Sequence, residues 1–518
     1  MPHLPMSDLS VPKLTRTASA QAVPGEPLAT ERFQNLKLAL DRVQGQLQLN
    51  PASHKLRFEQ ACLFEQLGLG AEARMVYCHI LEREPTHRGA LVNLGNLSCA
   101  EGDLIQAGIL YQQAVLAHPG HLPSRTNLGN LFFKTGQLIK AQEQFEAALR
   151  IQPEYRAAHA GLSFVLAARG EPERAAHHRA QAYAGRCVVT LPYRGQAQPV
   201  SVLLLLATTT GNVPTERYLS DQAFERILVA TEFYDSSVAL PPHQLVFNAV
   251  GEADSSDAAF AGVFAVLGNT KAPVINSPSA VQTTSRCAIA ARLAGIPGIV
   301  TPKTALLDRS LLLRSDAAAR LAEQGFSFPL LLRSPGFHGG DHFLRVDAAE
   351  NLVSAVDALP GDRLLVIEYL DARGADGKCR KYRVMMVDGQ LYPLHVAVSQ
   401  NWKIHYFSAE MTNSPEHRAE DGAFLADMPG VLGAAAMTAL RQVQKTLGLD
   451  YGGIDFGLNA RGEILLFEAN ATMTVVAPDK DPRWEYRRPA VDSIYHAVRQ
   501  MLLARARVSA CGVPYGVA

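Results

Sequence analysis

Residues 91–119 read LVNLGNLSCAEGDLIQAGILYQQAVLAHP, and residues 125–153, an interval of 34 further along, read RTNLGNLFFKTGQLIKAQEQFEAALRIQP. The same interval separates the members of three residue classes: Pro51, Pro85, Pro119 and Pro153; Gly68, Gly102, Gly136 and Gly170; and Ala73, Ala107, Ala141 and Ala175. In each unit apolar residues recur at helical spacing, a glycine ends the first helix and a proline follows the second. The sequence therefore predicts a tandem array of helical hairpins.

The repeated hairpins resemble tetratricopeptide repeats over about residues 52–187, in four units, and residues 31–50 look like a partial first unit. The resemblance implies a helical solenoid whose concave groove binds a peptide, a protein or a carrier-bound substrate. Asn93, Arg125 and Asn127 are the candidate groove residues, because amide and guanidinium groups can bond such a ligand. Surface solvation explains these side chains nearly as well. A packing scaffold, with homo-oligomer formation and no separate ligand, is the alternative for the whole array.

The composition favours a globular protein of several domains. The chain has 518 residues, of which 47% are hydrophobic and 19% charged. Lys+Arg and Asp+Glu both number 49, which argues against a surface that attracts nucleic acid or membranes as a whole. No apolar run approaches the length of a membrane helix. Seven scattered cysteines without a CxxC motif fit a reducing cytoplasm, so we expect a cytoplasmic protein.

After Gly185 the helical period gives way to an alternation of strands and helices. The predicted elements are a strand at Val202–Leu206, a helix over about residues 216–231, a strand at Leu245–Val250, a helix near residues 257–268, a strand beginning at Val274–Ile275, and a helix from about Val281 to Leu293. This order predicts a small parallel α/β domain with helices on both faces. Loops at the carboxyl ends of such strands bind ligands, which makes Thr208–Asn212 and Asn248–Asp254 candidates.

Two hairpins follow in the last part of the chain. The segment KYRVMMVDGQLYPLHVAV (residues 381–398) has a turn at Asp388–Gly389, and LDYGGIDFGLNARGEILLFEANATMT (residues 449–474) turns at Asn459–Gly462. Residues two apart on a strand share a face, so Glu468 and Asn470 point the same way, with Asp455 across the hairpin. Three oxygen-bearing side chains of this kind predict a Mg²⁺ site. A structural ion pair with a nearby arginine is the alternative.

A glycine-rich turn follows a strand that ends at Arg333. Gly336, Gly339 and Gly340 would let backbone N–H groups approach a phosphate, and Arg333 would supply charge. Further candidates for the same pocket are Arg383 and Lys381 for phosphate, Glu368, Tyr369 and Leu370 as a hinge that presents backbone groups to a purine, and His338 for the γ-phosphate. A solvated loop histidine at position 338 and a structural histidine at position 405 remain open alternatives.

The order of these segments resembles the ATP-grasp superfamily over about residues 200–505. The segments are NSPSAVQTTSRCAIAARLAGIPGIVTPKT (residues 276–304), LLLRSPGFHGG (residues 330–340), VIEYL (residues 366–370), RKYRVMMVDGQLY (residues 380–392) and DFGLNARGEILLFEAN (residues 455–470). The resemblance implies that ATP and Mg²⁺ bind here, with Asp455, Glu468 and Asn470 as metal ligands and with Arg333 and Arg383 at the phosphates. It also implies that Lys403, His405 and Arg418 contact the acceptor or donor carboxylate of the substrates. The family usually has Lys where this chain has Arg333, and the two side chains are not equivalent.

The predicted organisation has six parts: a tail at residues 1–28, the repeat solenoid at 29–187, a linker at 188–200, a pre-ATP-grasp α/β domain at 201–300, ATP-grasp lobes at 301–508 and a tail at 509–518. The resemblance implies a carboxylate–amine ligase that works through an acyl phosphate on small carboxylate and amine substrates, with the array recruiting one of them. Two alternatives stay open: a small-metabolite ligase whose array only mediates assembly, and a nucleotide-binding scaffold with weak or no turnover.

Overall fold

The computed structural model describes residues 29–254, 256–337, 340–404, 410–478 and 481–510. These residues form two compact units, an N-terminal unit at residues 29–203 and 219–243 and a C-terminal unit at residues 204–218 and 244–510. The division therefore falls inside the segment predicted as the start of the α/β domain, rather than within the linker predicted at residues 188–200.

The N-terminal unit begins with an array of antiparallel helices. Their bounds are α1 Ala29–Leu49, α2 His54–Gln66, α3 Gly70–Arg83, α4 Arg88–Ala100, α5 Leu104–Ala117, α6 Leu122–Lys134, α7 Leu138–Ile151, α8 Arg156–Ala168 and α9 Pro172–Tyr183. The four turn glycines have φ of +77, +86, +75 and +78°, a left-handed conformation that residues with a Cβ adopt only with strain. The predicted helical-hairpin array is confirmed.

Close packing explains why small residues recur in the array. A Cβ added to Gly129 would lie 2.8 Å from the ring of Phe145, and one added to Gly95 would lie 2.6 Å from the ring of Tyr111. Both aromatic rings are buried, Phe145 at 0% exposure. In these two hairpins the first helix must therefore present a glycine where the aromatic side chain of the second helix packs against it.

A histidine pair joins the last two helices of the array. His159 Nδ1 lies 2.7 Å from His178 Nδ1, and His159 Nε2 lies 2.8 Å from the carbonyl oxygen of Pro153. Since a carbonyl oxygen only accepts, His159 donates from Nε2 and His178 donates to His159 Nδ1. Burial, followed by the neighbouring charge of His159, lowers the pKa of His178 to about 4.

Strands follow α9. Their bounds are β1 Val188–Thr190, β2 Val200–Leu206, β3 Phe224–Ala230, β4 Leu245–Asn248 and, after α10 at Asp257–Leu267, β5 Val274–Ile275. The boundary between the two units passes through β2, so this strand belongs to both. The strand order is β1-β3-β2 in the N-terminal unit and β2-β4-β5 in the C-terminal unit. The β4–β5 pair is parallel, as the sequence predicts, whereas the β1–β3 pair, whose strands the sequence did not predict, is antiparallel.

The helix predicted over about residues 216–231 is wrong, because this segment contains β3. Its apolar residues are spaced as they would be on a helix, but the backbone of β3 pairs with β1 from Ile227 to Val229. Pairing with neighbouring strands overrides such local patterns. The single helix predicted from Val281 to Leu293 is divided into two helices, α11 Pro278–Gln282 and α12 Arg286–Leu293. The Ser285 side chain accepts a hydrogen bond from the Ala288 N–H and so caps the N-terminus of α12.

The rest of the C-terminal unit contains two sheets and the helices that cover them. The bounds are β6 Ile299–Val300, β7 Thr304–Asp308, α13 Arg309–Leu312, α14 Ala317–Glu323, β8 Leu330–Arg333, β9 Phe343–Val346, α15 Leu352–Asp357, β10 Arg363–Glu368, β11 Cys379–Val387, β12 Gln390–Ser399, α16 Pro415–Ala426, α17 Met428–Leu447, β13 Tyr451–Leu458, β14 Ile464–Asn470 and α18 Arg488–Ala510. One sheet has the order β7-β10-β8-β9, and the other has the order β12-β11-β13-β14-β6.

Both predicted hairpins are confirmed in the second of these sheets. The β11–β12 turn has φ of +45° at Asp388 and +79° at Gly389, as a tight two-residue hairpin requires. The β13–β14 hairpin pairs Asp455 with Glu468 and Gly453 with Asn470, with a bulge after Asp455. The apolar core under the four-stranded sheet includes Leu330, Leu332, Leu364 and Val366.

Within the described ranges, no single helix is both long and apolar enough to cross a membrane. The pair α16 and α17, bent by 61° at the break between them, passes the same test of length and composition when taken together.

Candidate functional site

A cavity of about 230 Å³ lies in the C-terminal unit, where strands of both sheets contribute to its lining. It brings together most of the site residues that the sequence predicts for this unit: Arg333, Gly340, Glu368, Tyr369, Leu370, Lys381, Arg383, Lys403, Asp455, Glu468 and Asn470. These residues come from β8, β10, β11, β13, β14 and the loops beside them, so segments far apart in the sequence converge on one space.

Other predicted residues are not part of this lining. Gly336 does not line the cavity, and Arg418 donates to the carbonyl oxygens of Met411 and Thr412, at 2.8 Å each. Three further predictions, for His338, Gly339 and His405, lie outside the described residues.

The candidate groove residues of the array bond to the array itself. Asn93 Nδ2 donates to the hydroxyl of Tyr77 at 2.8 Å, and Asn127 Nδ2 donates to Oδ1 of Asn96 at 2.9 Å. Arg125 Nε donates to the carbonyl oxygen of Pro119 at 2.8 Å. Asn127 is only 8% exposed. These three side chains therefore have structural partners that the sequence interpretation did not include.

Asp455 is engaged by two cations. Arg383 donates to it from Nε at 2.6 Å and from Nη2 at 2.8 Å, and Lys381 Nζ donates at 3.0 Å. Burial would raise the pKa of Asp455, but the charges of Arg383 and Lys381 outweigh burial and hold the pKa well below its usual value. Asp455 is therefore an ionised carboxylate with both oxygens bonded, which is the ion-pair alternative named for this position.

Arg286 gathers three carboxylates at another part of the cavity. Its guanidinium lies 2.7 Å from Asp254, 3.0 Å from Glu468 and 3.9 Å from Glu252. Burial lowers the pKa of Arg286, but Glu468, Glu252 and Asp254 more than offset this, so the pKa is raised. The guanidinium of Arg286 thus contacts three carboxylates, and the charge of Arg333 acts on the same three groups.

Sequence reasoning found part of this second group. Glu252 and Asp254 fall in the loop after β4 that the sequence marked as a ligand candidate, because it follows a strand at its carboxyl end. Arg286 was missed, since it lies 182 residues from Glu468 and no local pattern links the two. The cavity lining also includes Phe343, Trp402 and Phe467, which sequence reasoning did not assign.

The glycine-rich turn is tied back to the strand before it. Arg333 Nη2 donates to the carbonyl oxygen of Phe337, and its guanidinium stacks 5.4 Å from the centre of the Phe343 ring. Burial, followed by the charge of Arg286, lowers the pKa of Arg333. Lys403 Nζ donates to the carbonyl oxygen of Phe343 at 3.2 Å. Two cations therefore stand at the end of the cavity where the turn begins.

The predicted hinge is held in place on one side and faces aromatic rings on the other. The backbone N–H of Lys303 donates to the Glu368 carboxylate at 2.9 Å, and the N–H of Glu368 donates to the carbonyl oxygen of Lys303 at 2.8 Å. The Arg345 guanidinium stacks 4.4 Å from the centre of the Tyr369 ring, and Trp402 meets that ring edge-on at 6.2 Å. Flat apolar surfaces of this kind suit a planar ligand.

Of the predicted metal ligands, Glu468 fits a divalent cation better than Asp455 does. Within the described part of the chain, no three His, Cys, Asp or Glu side chains come together as a metal site. Glu468 is one of the three carboxylates around Arg286, its side chain is 28% exposed, and Asn470, which lines the same cavity, donates to the Glu468 carboxylate at 2.9 Å. Asp455 does not fit, because two cations occupy both of its oxygens. Glu468 Oε1 accepts from Arg286 and Asn470, and Asn470 Oδ1 accepts from Thr472, so a Mg²⁺ held by these two residues would replace some of these contacts.

No protein-family model and no curated protein matches this chain. Solved structures match part of it. MamA is 16% identical, covers 30% of this chain and 94% of its own, and has a TM-score of 0.27. MamA from Desulfovibrio magneticus is 19% identical, with 30% and 93% coverage and a TM-score of 0.27. A tetratricopeptide repeat protein from Parabacteroides merdae is 18% identical, with 29% and 62% coverage and a TM-score of 0.26. At TM-scores this low the likeness carries no argument, and the array is defined by its own geometry.

Proposed function

We propose that the C-terminal unit is an ATP- and Mg²⁺-dependent ligase that joins a carboxylate to an amine. The observation that carries this proposal is the single cavity shared by the glycine-turn strand, the hinge and the β13–β14 hairpin. Its lining combines aromatic surface for a base with cations for phosphates and carboxylates for a divalent metal. The resemblance of the same segments to the ATP-grasp superfamily supplies the reaction class.

In this reaction the substrate carboxylate attacks the γ-phosphate of ATP, which leaves ADP and an acyl phosphate, and an amine then displaces phosphate to form the amide. The chain's own residues would act mainly by positioning and by charge neutralisation, since the transferred group is highly charged. Arg333 and Lys403 would face the phosphates beside Gly340, while Tyr369 and Leu370 would line the base. When bound at Glu468 and Asn470, Mg²⁺ would neutralise phosphate charge.

The helical array would recruit a peptide, a protein or a carrier-bound substrate. A solenoid of stacked hairpins offers an extended surface of a kind that a free amino acid does not need. Assembly of the protein with itself is the second candidate, favoured by exposed apolar side chains on the second helices: Met75 at 66%, Ile105 at 81%, Leu116 at 81% and Ile139 at 66% exposure.

The proposal is tested by ATP binding and by ADP formation. Calorimetry should detect binding of ATP with Mg²⁺ to the full chain, and Glu468→Gln should weaken it by about tenfold, because a hard cation loses an anionic ligand. Glu463→Gln is the matched control, since Glu463 lies in the turn of the same hairpin and bonds to Asn459. ADP release is then followed with a panel of carboxylic acids and hydroxylamine as the amine.

Three outcomes separate the candidates. ATP binding with ADP release that depends on one acid supports the ligase. Binding without ADP release on any acid supports the scaffold alternative, and no ATP binding by the wild-type chain refutes the proposal.

A further inference from the structure

The second helices of the array expose an apolar stripe that is centred on α5. Ile105, Ile109 and Leu116 are 81%, 52% and 81% exposed, and their spacing of i, i+4 and i+11 places them along one side of the helix. The stripe continues at equivalent repeat positions on the adjacent second helices, where Met75 of α3 and Ile139 of α7 are both 66% exposed. Apolar surface that continues across three helices is typical of an interaction site.

The centre of this stripe carries no charge. None of the 14 residues of α5 is Asp, Glu, Lys, Arg or His. Exposed helix faces usually carry such residues, because charged side chains keep the face solvated. A strongly charged partner would find no ionic contact on α5, so this helix favours an apolar partner surface.

The helices on either side of α5 carry opposite charges at equivalent positions. Glu72 and Glu82 lie on α3, and the residues two repeats further on are Lys140 and Arg150 of α7. Glu82, Lys140 and Arg150 are exposed, and Glu72 is partly exposed. The stripe therefore has an acidic flank and a basic flank whose charges lie at the same heights along the helices.

A second copy of the same chain fits these flanks. Alternate helices of an antiparallel array run in the same direction, so α3, α5 and α7 are parallel to one another. A two-fold axis parallel to α5 sets this helix against α5 of the second copy, with each residue opposite its own counterpart. The same axis sets α3 of each copy against α7 of the other. Glu82 then faces Arg150 and Glu72 faces Lys140, twice in each dimer.

A two-fold axis perpendicular to the helices fits the charges less well. It sets α3 against α3 and α7 against α7, so Glu82 and Arg150 no longer face each other. The acidic pair Glu143 and Glu146, near the middle of α7, then meets the same pair of the second copy. Like charges placed opposite each other disfavour such a contact. In the parallel arrangement Glu143 faces Met75, which carries no charge.

We propose that α3, α5 and α7 form a homodimer interface in which the α5 stripes of two copies pack in parallel and Glu82 of each copy pairs with Arg150 of the other. The stripe supplies apolar contact area, and the charged flanks select the partner and its orientation. The inference makes the assembly candidate of the array specific and stands without the ligase reaction. The candidate groove residues Asn93, Arg125 and Asn127 lie on α4 and α6, outside this interface.

The test measures self-association of the full chain by sedimentation velocity over a series of protein concentrations. Ile109→Lys introduces a charge near the centre of the stripe, and Ile105→Lys does so at a side chain exposed enough for its replacement to leave the packing of the array intact. Val353→Lys is the matched control, because Val353 is a 46% exposed apolar residue on α15 of the C-terminal unit. Glu82→Arg and Arg150→Glu are measured separately and then as an equimolar mixture.

We expect the wild-type chain to dimerise and both lysine variants to weaken the dimer by about tenfold or more, since each dimer would bury two unpaired charges. Val353→Lys should leave the dissociation constant unchanged. Each charge reversal alone should weaken the dimer by about tenfold, because both symmetry-related pairs become repulsive, and high salt should reduce this effect. The mixture should form heterodimers of wild-type affinity, since Glu82→Arg makes one copy basic and Arg150→Glu makes the other acidic at the facing positions.

Other results would overturn the inference. A wild-type chain that stays monomeric at every concentration has no such interface, and if this monomer floats with phosphatidylcholine vesicles while Ile109→Lys does not, the stripe is a lipid contact instead. Dimers that survive both lysine variants use another surface. Dimers that depend on Ile109 but whose charge-reversal variants do not complement each other pack in another orientation. None of these measurements needs ATP, so a failure here leaves the proposed ligase reaction untouched.

Discussion

Replacing Arg286 by methionine should destabilise the C-terminal unit more than any surface charge change. Methionine keeps most of the side-chain volume and leaves Asp254, Glu252 and Glu468 facing one another without their shared cation. Arg286 is 11% exposed in its side chain and has contacts at 2.7 and 3.0 Å. Removing one partner of such a buried pair costs about 3–5 kcal/mol. Glu468 is partly solvated, so we expect a loss of about 3 kcal/mol, near the lower end of that range.

Thermal unfolding followed by calorimetry measures this loss. Because the unfolding entropy scales with size, each kcal/mol shifts the midpoint of a unit this large by about 1.7 °C, so the midpoint of the C-terminal unit should fall by about 5 °C. Arg314→Met is the matched control, because Arg314 pairs with Asp316 at 2.8 Å while its side chain is 51% exposed. The control should leave the midpoint unchanged, since exposed pairs contribute little. Equal midpoints for the two variants would show that the Arg286 group is solvated, and the argument from buried charge would fail.

Three further outcomes are expected. Arg333→Lys should keep ATP affinity far better than Arg333→Ala, because lysine restores charge at the phosphates, and full affinity in both variants would make Arg333 structural. Asn93→Ala combined with Asn127→Ala should lower the free energy of unfolding of the array by about 1–3 kcal/mol, since each removes an internal hydrogen bond. Unchanged stability together with a raised KM for a macromolecular substrate would instead make them groove residues. Because the pKa of His178 is lowered in the folded array, protonation of this side chain below its ordinary pKa of 6.5 favours the unfolded chain. Array stability should therefore fall as the pH drops from 6.5 toward about 4, and His178→Gln should flatten that dependence in urea titrations.

The array was predictable because its signals are local. A glycine at a fixed place permits the left-handed turn, and a proline at a fixed place ends the next helix, so 34-residue spacing is enough to locate both. The strand β3 was not predictable in this way. Its apolar residues fit a helix equally well, and what decides the matter is pairing with β1, a contact that sequence periodicity does not contain.

The candidate site shows the same division between local and distant signals. The sequence predicts that Asp455 and Glu468 lie opposite each other, because both are on one hairpin with a recognisable turn, and the observed strand register confirms this. Their cationic partners come from other segments, Arg383 at 72 residues from Asp455 and Arg286 at 182 residues from Glu468. Sequence alone could name a nearby arginine as an alternative, but only the fold identifies which arginine and which carboxylate.

The regular spacing of turns in the array also makes its length adjustable by recombination. Asp103 and Gln137 precede α5 and α7 at equivalent points, so joining Asp103 to Leu138 would remove one whole hairpin period and leave every remaining junction of the same type. Duplicating the same stretch would add one. Recombination between such equally spaced stretches can therefore lengthen or shorten the helical array by whole repeats, while the residues that line the cavity stay as they are.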